Sequence, residues 1–80
     1  MNILIVEDDT TIREGVAEFL KENDYEVFCA GDGEAALELL KNTNIHLALL
    51  DIMLPGKSGL EVLTELRTFS DLPVIMLTAI

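Results

Sequence analysis

Four short apolar runs, separated by amphipathic stretches, set the rhythm of this chain. Ile3-Leu4-Ile5-Val6, Glu26 to Ala30, Ile45 to Leu50 and Pro73 to Thr78 have the length and bounding turn residues of strands. The stretch Leu47-Ala48-Leu49-Leu50-Asp51-Ile52-Met53-Leu54-Pro55-Gly56 organises the others. Its apolar run lacks alternation, as in a strand buried on both faces at the centre of a parallel sheet. It ends in one carboxylate before Pro-Gly turns the chain away. Pro73 opens the fourth run, at the strand position that tolerates a missing N–H.

Three helical patterns lie between the runs. Thr10 or Thr11 caps the first, in which Ile12, Val16, Phe19 and Leu20 form an i, i+4, i+7, i+8 apolar stripe, and Asn23-Asp24 ends it. Gly31-Asp32-Gly33 turns into a second helix from about Glu34 to Lys41, with Ala36, Leu37 and Leu40 inward. Ser58-Gly59-Leu60-Glu61 reads as a capping box opening a third helix that buries Leu60, Leu63 and Leu66. The order β-α-β-α-β-α-β requires parallel pairing through right-handed crossovers, hence an α/β fold with a doubly wound parallel sheet. No internal linker, repeat or low-complexity segment interrupts it, so residues 1–80 read as one domain.

Composition narrows the classes. Half of the 80 residues are apolar, which suits a folded core. A net charge of −10 with five basic residues argues against direct contact with nucleic acid or an anionic membrane and favours a basic partner or a bound cation. Much of that charge also serves as a solvated acidic surface. Cys29 is the single cysteine, which excludes an intramolecular disulfide and fits a reducing, cytoplasmic setting. The apolar start, Ile3 to Val6, is too short for a signal peptide or a membrane span.

The strand ends carry the candidate chemistry. In a parallel sheet they share one edge, where open α/β folds place their ligand crevice. Asp8 and Asp9 lie at the tip of the first strand, Asp51 at the tip of the third and Thr78 at the tip of the fourth. If the first and third strands are neighbours, their tips stand roughly 5 Å apart. Three carboxylates then converge on a hard-oxygen site suited to Mg²⁺, which takes one or two carboxylates and keeps several waters. A metal there neutralises an incoming phosphoryl group and leaves an Asp free to attack it, while Thr78 donates to a phosphoryl oxygen. The plainer reading of Asp51, as a cap for the following turn, stays open at this point.

Val6-Glu7-Asp8-Asp9, Gly33-Glu34-Ala35-Ala36-Leu37, Asp51-Ile52-Met53-Leu54-Pro55-Gly56 with Gly59, and Pro73-Val74-Ile75-Met76-Leu77-Thr78-Ala79 together resemble the receiver domain of bacterial two-component response regulators. The resemblance runs through all eighty residues and implies a flavodoxin-like receiver fold. It assigns Asp51 as phosphoacceptor, Asp8 and Asp9 as the acidic pair holding Mg²⁺, a metal-ligating carbonyl to Met53 and the switch hydroxyl to Thr78. It implies a phosphorylation-dependent signalling switch, not an enzyme, whose donor is a phosphohistidine on a sensor histidine kinase. Leu54-Pro55-Gly56-Lys57-Ser58-Gly59 is similar to regulators that carry a winged-helix DNA-binding domain, which implies transcription regulation through an output domain.

The chain also departs from that family. A receiver has five strands and five helices, with a Lys after the fifth strand that contacts the phosphoryl group. Residues 1–80 match only the N-terminal part, four strands and three helices. The expectation is therefore an incomplete receiver whose fourth strand and uncovered sheet face invite self-association. The alternative function is an association module without phosphotransfer. Lys57 reads as a solvated loop cation rather than a replacement for the missing Lys. Gly31-Asp32-Gly33-Glu34-Ala35-Ala36 spells a dinucleotide fingerprint, but it follows the second strand, and Asp32 and Glu34 would repel a pyrophosphate. An aspartyl-phosphate phosphatase lacks its general acid, because position 53 is Met. His46 reads as a strand-start histidine without ligand partners.

Overall fold

The computed structural model describes residues 1–77. Strands β1 (Asn2–Val6), β2 (Glu26–Ala30), β3 (Leu47–Asp51) and β4 (Val74–Leu77) alternate with helices α1 (Thr10–Glu22), α2 (Gly33–Asn42) and α3 (Gly59–Leu66). All pairs are parallel and the sheet order is β2-β1-β3-β4, the doubly wound α/β arrangement expected from the rhythm of the chain. β1 is interior, and Ile3, Leu4, Ile5 and Val6 are each almost wholly excluded from solvent. That explains a run without a polar break, since both of its faces are covered.

The pleat sends alternate residues to opposite faces. Leu4, Val6, Ala30, Ala48 and Leu50 join Ala36 and Leu37 of α2 and Val62 and Leu66 of α3 in the main core. Ile3 and Ile5 belong by alternation to the other face, where α1 buries Ala17. Register carries that face across the sheet: Ile3 stands beside Leu47, Ile5 beside Leu49, and Leu49 beside Ile75. Among the described residues α1 alone shields this side, and Ile75 is 51% exposed.

Helix starts follow side-chain caps. Asp9, rather than Thr10 or Thr11, caps α1 by accepting from the Ile12 N–H at 2.9 Å. Asp32 caps α2 through the Ala35 N–H at 2.8 Å, which accounts for the Gly-Asp-Gly stretch without a nucleotide. Ser58 and Glu61 form the expected capping box on α3.

The buried faces of two helices differ from expectation. Ile12 and Phe19 are exposed on α1, while Val16 and Leu20 are only half-buried. On α3, Val62 and Leu66 are buried, Leu63 is half-buried and Leu60 is exposed. A helical period fixes which residues share a stripe, but a single neighbouring sheet covers only part of a wide one.

Candidate functional site

Glu7, Asp8 and Asp51 meet at the carboxyl edge of the sheet, each offering a carboxylate oxygen within 4.8 Å of the others. The pleat explains the set. Val6 is level with Leu50 in the ladder, so the next residues, Glu7 and Asp51, continue the row of Ile5 and Leu49 on one face. Asp51, on the last residue of β3, is 7% exposed. Glu7 is half-buried and Asp8 exposed.

Asp9, expected beside Asp8 in the acidic pair, is not in this cluster. Its carboxylate is committed to the start of α1, where it accepts from Ile12. Glu7 stands in its place. In the sequence Glu7 stands out only as part of the motif Val6-Glu7-Asp8-Asp9, although the odd-numbered parity of Ile3, Ile5 and Glu7 against Leu47, Leu49 and Asp51 places it on the same row.

Backbone donors orient the acids. The Met53 N–H donates to Asp51 Oδ1 at 3.0 Å, and the Asp9 N–H donates to Glu7 Oε2 at 3.1 Å. Asp51 thus caps the turn after β3, the plainer of the two readings left open by the sequence, and it also offers a carboxylate oxygen to the cluster. Met53 brings its backbone beside Asp51, and its side chain is 69% exposed. Thr78 lies outside the described residues.

Neighbouring loops are tightly fitted. A Cβ on Gly59 would lie 2.2 Å from the Asp51 carbonyl oxygen, so glycine is required where α3 abuts β3. Arg13 donates from Nη1 to the Glu7 carbonyl oxygen at 2.7 Å and lies over Gly31. Lys57 is not a solvated loop cation. Its ammonium stands 2.9 Å from Glu65 Oε1 and 3.4 Å from Glu34 Oε1. His46 fixes the strand starts, its Nδ1 accepting from the Asn2 N–H at 2.8 Å.

The crowding of acids bears on Glu7. Burial pushes the Glu7 carboxyl above the usual carboxylate range, and Asp8 and Asp51 push it further, against the lowering effect of the Asp9 N–H. Three carboxylate groups with hard oxygens in so small a volume form a donor set for a hard divalent cation.

A family model described as "Response regulator receiver domain" matches residues 3–80. The chain belongs to that family. This receiver is 50% identical over its whole length to response regulator RR06 of Streptococcus pneumoniae, of which it spans 37%. It superposes with a TM-score of 0.92 on the Thermotoga maritima response regulator TrrA, crystallised in complex with Mg²⁺ and BeF. That pair shares 45% identity, over 99% of this chain and 70% of TrrA. The BeF₃-activated N-terminal receiver domain of Klebsiella pneumoniae RstA gives 0.94 at 35% identity, over 100% of this chain and 68% of RstA's. A receiver domain from Methanospirillum hungatei gives 0.95 at 35% identity, over 99% of this chain and 64% of its own. As a receiver domain of a response regulator, the chain is part of a two-component system. No helix among the described residues is long and apolar enough to cross a membrane.

Proposed function

We propose that this receiver is a phosphorylation-dependent switch in which Asp51 accepts a phosphoryl group from a phosphohistidine of a sensor histidine kinase. The observation that carries the reading is the meeting of Glu7, Asp8 and Asp51 at the mouth of the sheet. Asp51 is held by the Met53 N–H through Oδ1, so its other oxygen attacks phosphorus as the phosphorus–nitrogen bond breaks and the imidazole leaves. Glu7 and Asp8, with Asp51 and the Met53 carbonyl, would hold Mg²⁺. When bound, that ion offsets negative charge on both the acids and the phosphoryl oxygens. The TrrA complex with Mg²⁺ and BeF supports this choice of cation. Thr78 remains the proposed switch hydroxyl. Asp51 is modified rather than turned over, so the domain is a phosphoacceptor and not an enzyme. The reading extends to an output domain that regulates transcription in the cytoplasm; the chain spans 37% of response regulator RR06, which leaves room in that relative for such a domain. The acidic receiver itself makes no contact with nucleic acid in this reading.

Incubation with a small-molecule phosphodonor and Mg²⁺, read by intact mass, tests the proposal. One phosphoryl group should add to the wild-type chain and none to Asp51→Asn. A mass shift that survives in Asp51→Asn overturns the assignment. A second reading, self-association without phosphotransfer, is favoured by the exposure of Ile75 on β4.

A further inference from the structure

Residues 52–58 carry the chain from Asp51 into α3, and the loop is anchored at several points. The Gly59 N–H donates to the Ile52 carbonyl oxygen at 2.9 Å, closing its base. Leu54 is buried in the core. Near the far end, a Cβ on Gly33 would lie 3.2 Å from both the Cβ and the carbonyl oxygen of Lys57, so the loop backbone rests directly on the start of α2.

Lys57 adds the charged anchor. Its side chain is 24% exposed, against 79% for Glu34 and 41% for Glu65. The stem of Lys57 is therefore largely covered, while its ammonium meets carboxylates of α2 and α3 at the seam between the two helices. It donates to Glu65 Oε1 at 2.9 Å and faces Glu34 Oε1 in the first turn of α2. Lys41 stands 4.0 Å from the other Glu65 oxygen and extends the network along the seam. The Lys57 ammonium holds the Glu65 carboxyl below the usual range, and Glu65, ahead of Glu34, holds Lys57 above its own, so the group stays charged near neutrality. One exposed ion pair is a weak stabiliser of a fold. One ammonium shared between carboxylates on two helices instead fixes where the loop stands relative to both.

We propose that Lys57 is a positioning residue: bridging Glu34 and Glu65, it fixes the loop that sets Met53 beside Asp51, and so governs how well the acidic cluster holds a divalent cation. The inference rests on the reading of the cluster as a Mg²⁺ site. Lys57 makes no contact with the phosphoryl group in this role, because its ammonium is engaged in the seam.

The test is calorimetric titration of Mg²⁺ alone into wild type, Lys57→Met, Lys57→Arg, Glu65→Gln and Asp8→Asn, with circular dichroism of each. Outer partners of metal ligands typically govern affinity by an order of magnitude or more, so a residue one step further out should weaken binding about three- to tenfold in Lys57→Met. Lys57→Arg, whose fork spans two carboxylates, should restore it. Saturating Mg²⁺ should return phosphodonor labelling of Lys57→Met to the wild-type level, which a distorted Asp51 would not allow. Wild-type affinity in Lys57→Met, with binding lost in Asp8→Asn, overturns the positioning role and leaves the metal site standing. Absence of Mg²⁺ binding in wild type overturns both. If Lys57→Met loses its native spectrum, Glu65→Gln decides: it removes the charge of one of the two carboxylates that hold Lys57 and should weaken binding about twofold, less than loss of Lys57 itself, and unchanged affinity refutes the inference.

Discussion

Glu7 sits between Asp8 and Asp51 with its carboxyl titrating above the ordinary value of 4.5, first because of burial and then because of its acidic neighbours. The native state therefore holds that proton more tightly than the unfolded chain does. Stability tied to Glu7 is fully present below pH 4.5 and is lost as pH rises through the raised value. At neutral pH the metal-free cluster is a destabilising element. Glu7→Gln should raise the melting temperature of the metal-free protein by about 2–4 °C, the shift that about half a kcal/mol gives a domain of this size. It should also weaken Mg²⁺ binding. Scans at pH 5 and pH 7.5 check that the charged form of Glu7 is responsible, since both its burial and its acidic neighbours make the gap between variant and wild type larger at the higher pH. An equal gap would place the effect elsewhere.

Among the elements, the junction of β3 with α3 is the least forgiving. A methyl group on Gly59 meets the Asp51 carbonyl oxygen at 2.2 Å and the Ile52 Cα at 2.8 Å. Both are backbone atoms, which no rotamer change can move. Gly59→Ala should therefore cost at least about 2 kcal/mol. Ser58→Ala, which removes only the cap next door, should cost about 1 kcal/mol. Urea unfolding of the two variants checks the order, and a milder effect for Gly59→Ala contradicts the fit described. Much of this element-scale design was legible in the sequence. Ser58 and Glu61 announce their helix because capping is local chemistry, and the four apolar runs announce their strands because burial on both faces leaves no polar break. The partners of Lys57 were not legible, since Glu34 and Glu65 reach it only after two helices pack. Nor was the exposure of Ile12 and Phe19, because periodicity describes a helix and not its neighbours. Glu7 lies between these cases, readable from strand parity but easily passed over beside two more acids.

Over the whole molecule, shielding is uneven. Three helices flank four strands, and β4 forms one edge of the described sheet with Ile75 half in solvent. Val74-Ile75-Met76-Leu77 offers no charge to discourage a second strand from pairing there. Repulsion from the net charge of −10 is screened beyond a Debye length of about 8 Å at physiological salt. The eighty-residue chain prepared alone is therefore expected to self-associate at tens of micromolar, the range in which sedimentation velocity would be run. Ile75→Lys should shift it toward monomer, as a charge on an exposed edge does. A wild-type chain that sediments as a clean monomer refutes the expectation.

The central place of β1 has a consequence for how the molecule comes into being. Asn2 is tied to His46, 44 positions further along, and β1 gains its second neighbour only when β3 is available. On a ribosome adding roughly 5–20 residues per second, seconds separate the emergence of these two segments. Throughout that interval Glu7 and Asp8 hang on a strand with one side unpaired, and Asp51 has not yet met them. A nascent chain can build β1, α1 and β2 as a local unit, yet it remains chemically blank. The three acids proposed to hold a cation are brought together in a single late step, when β3 docks.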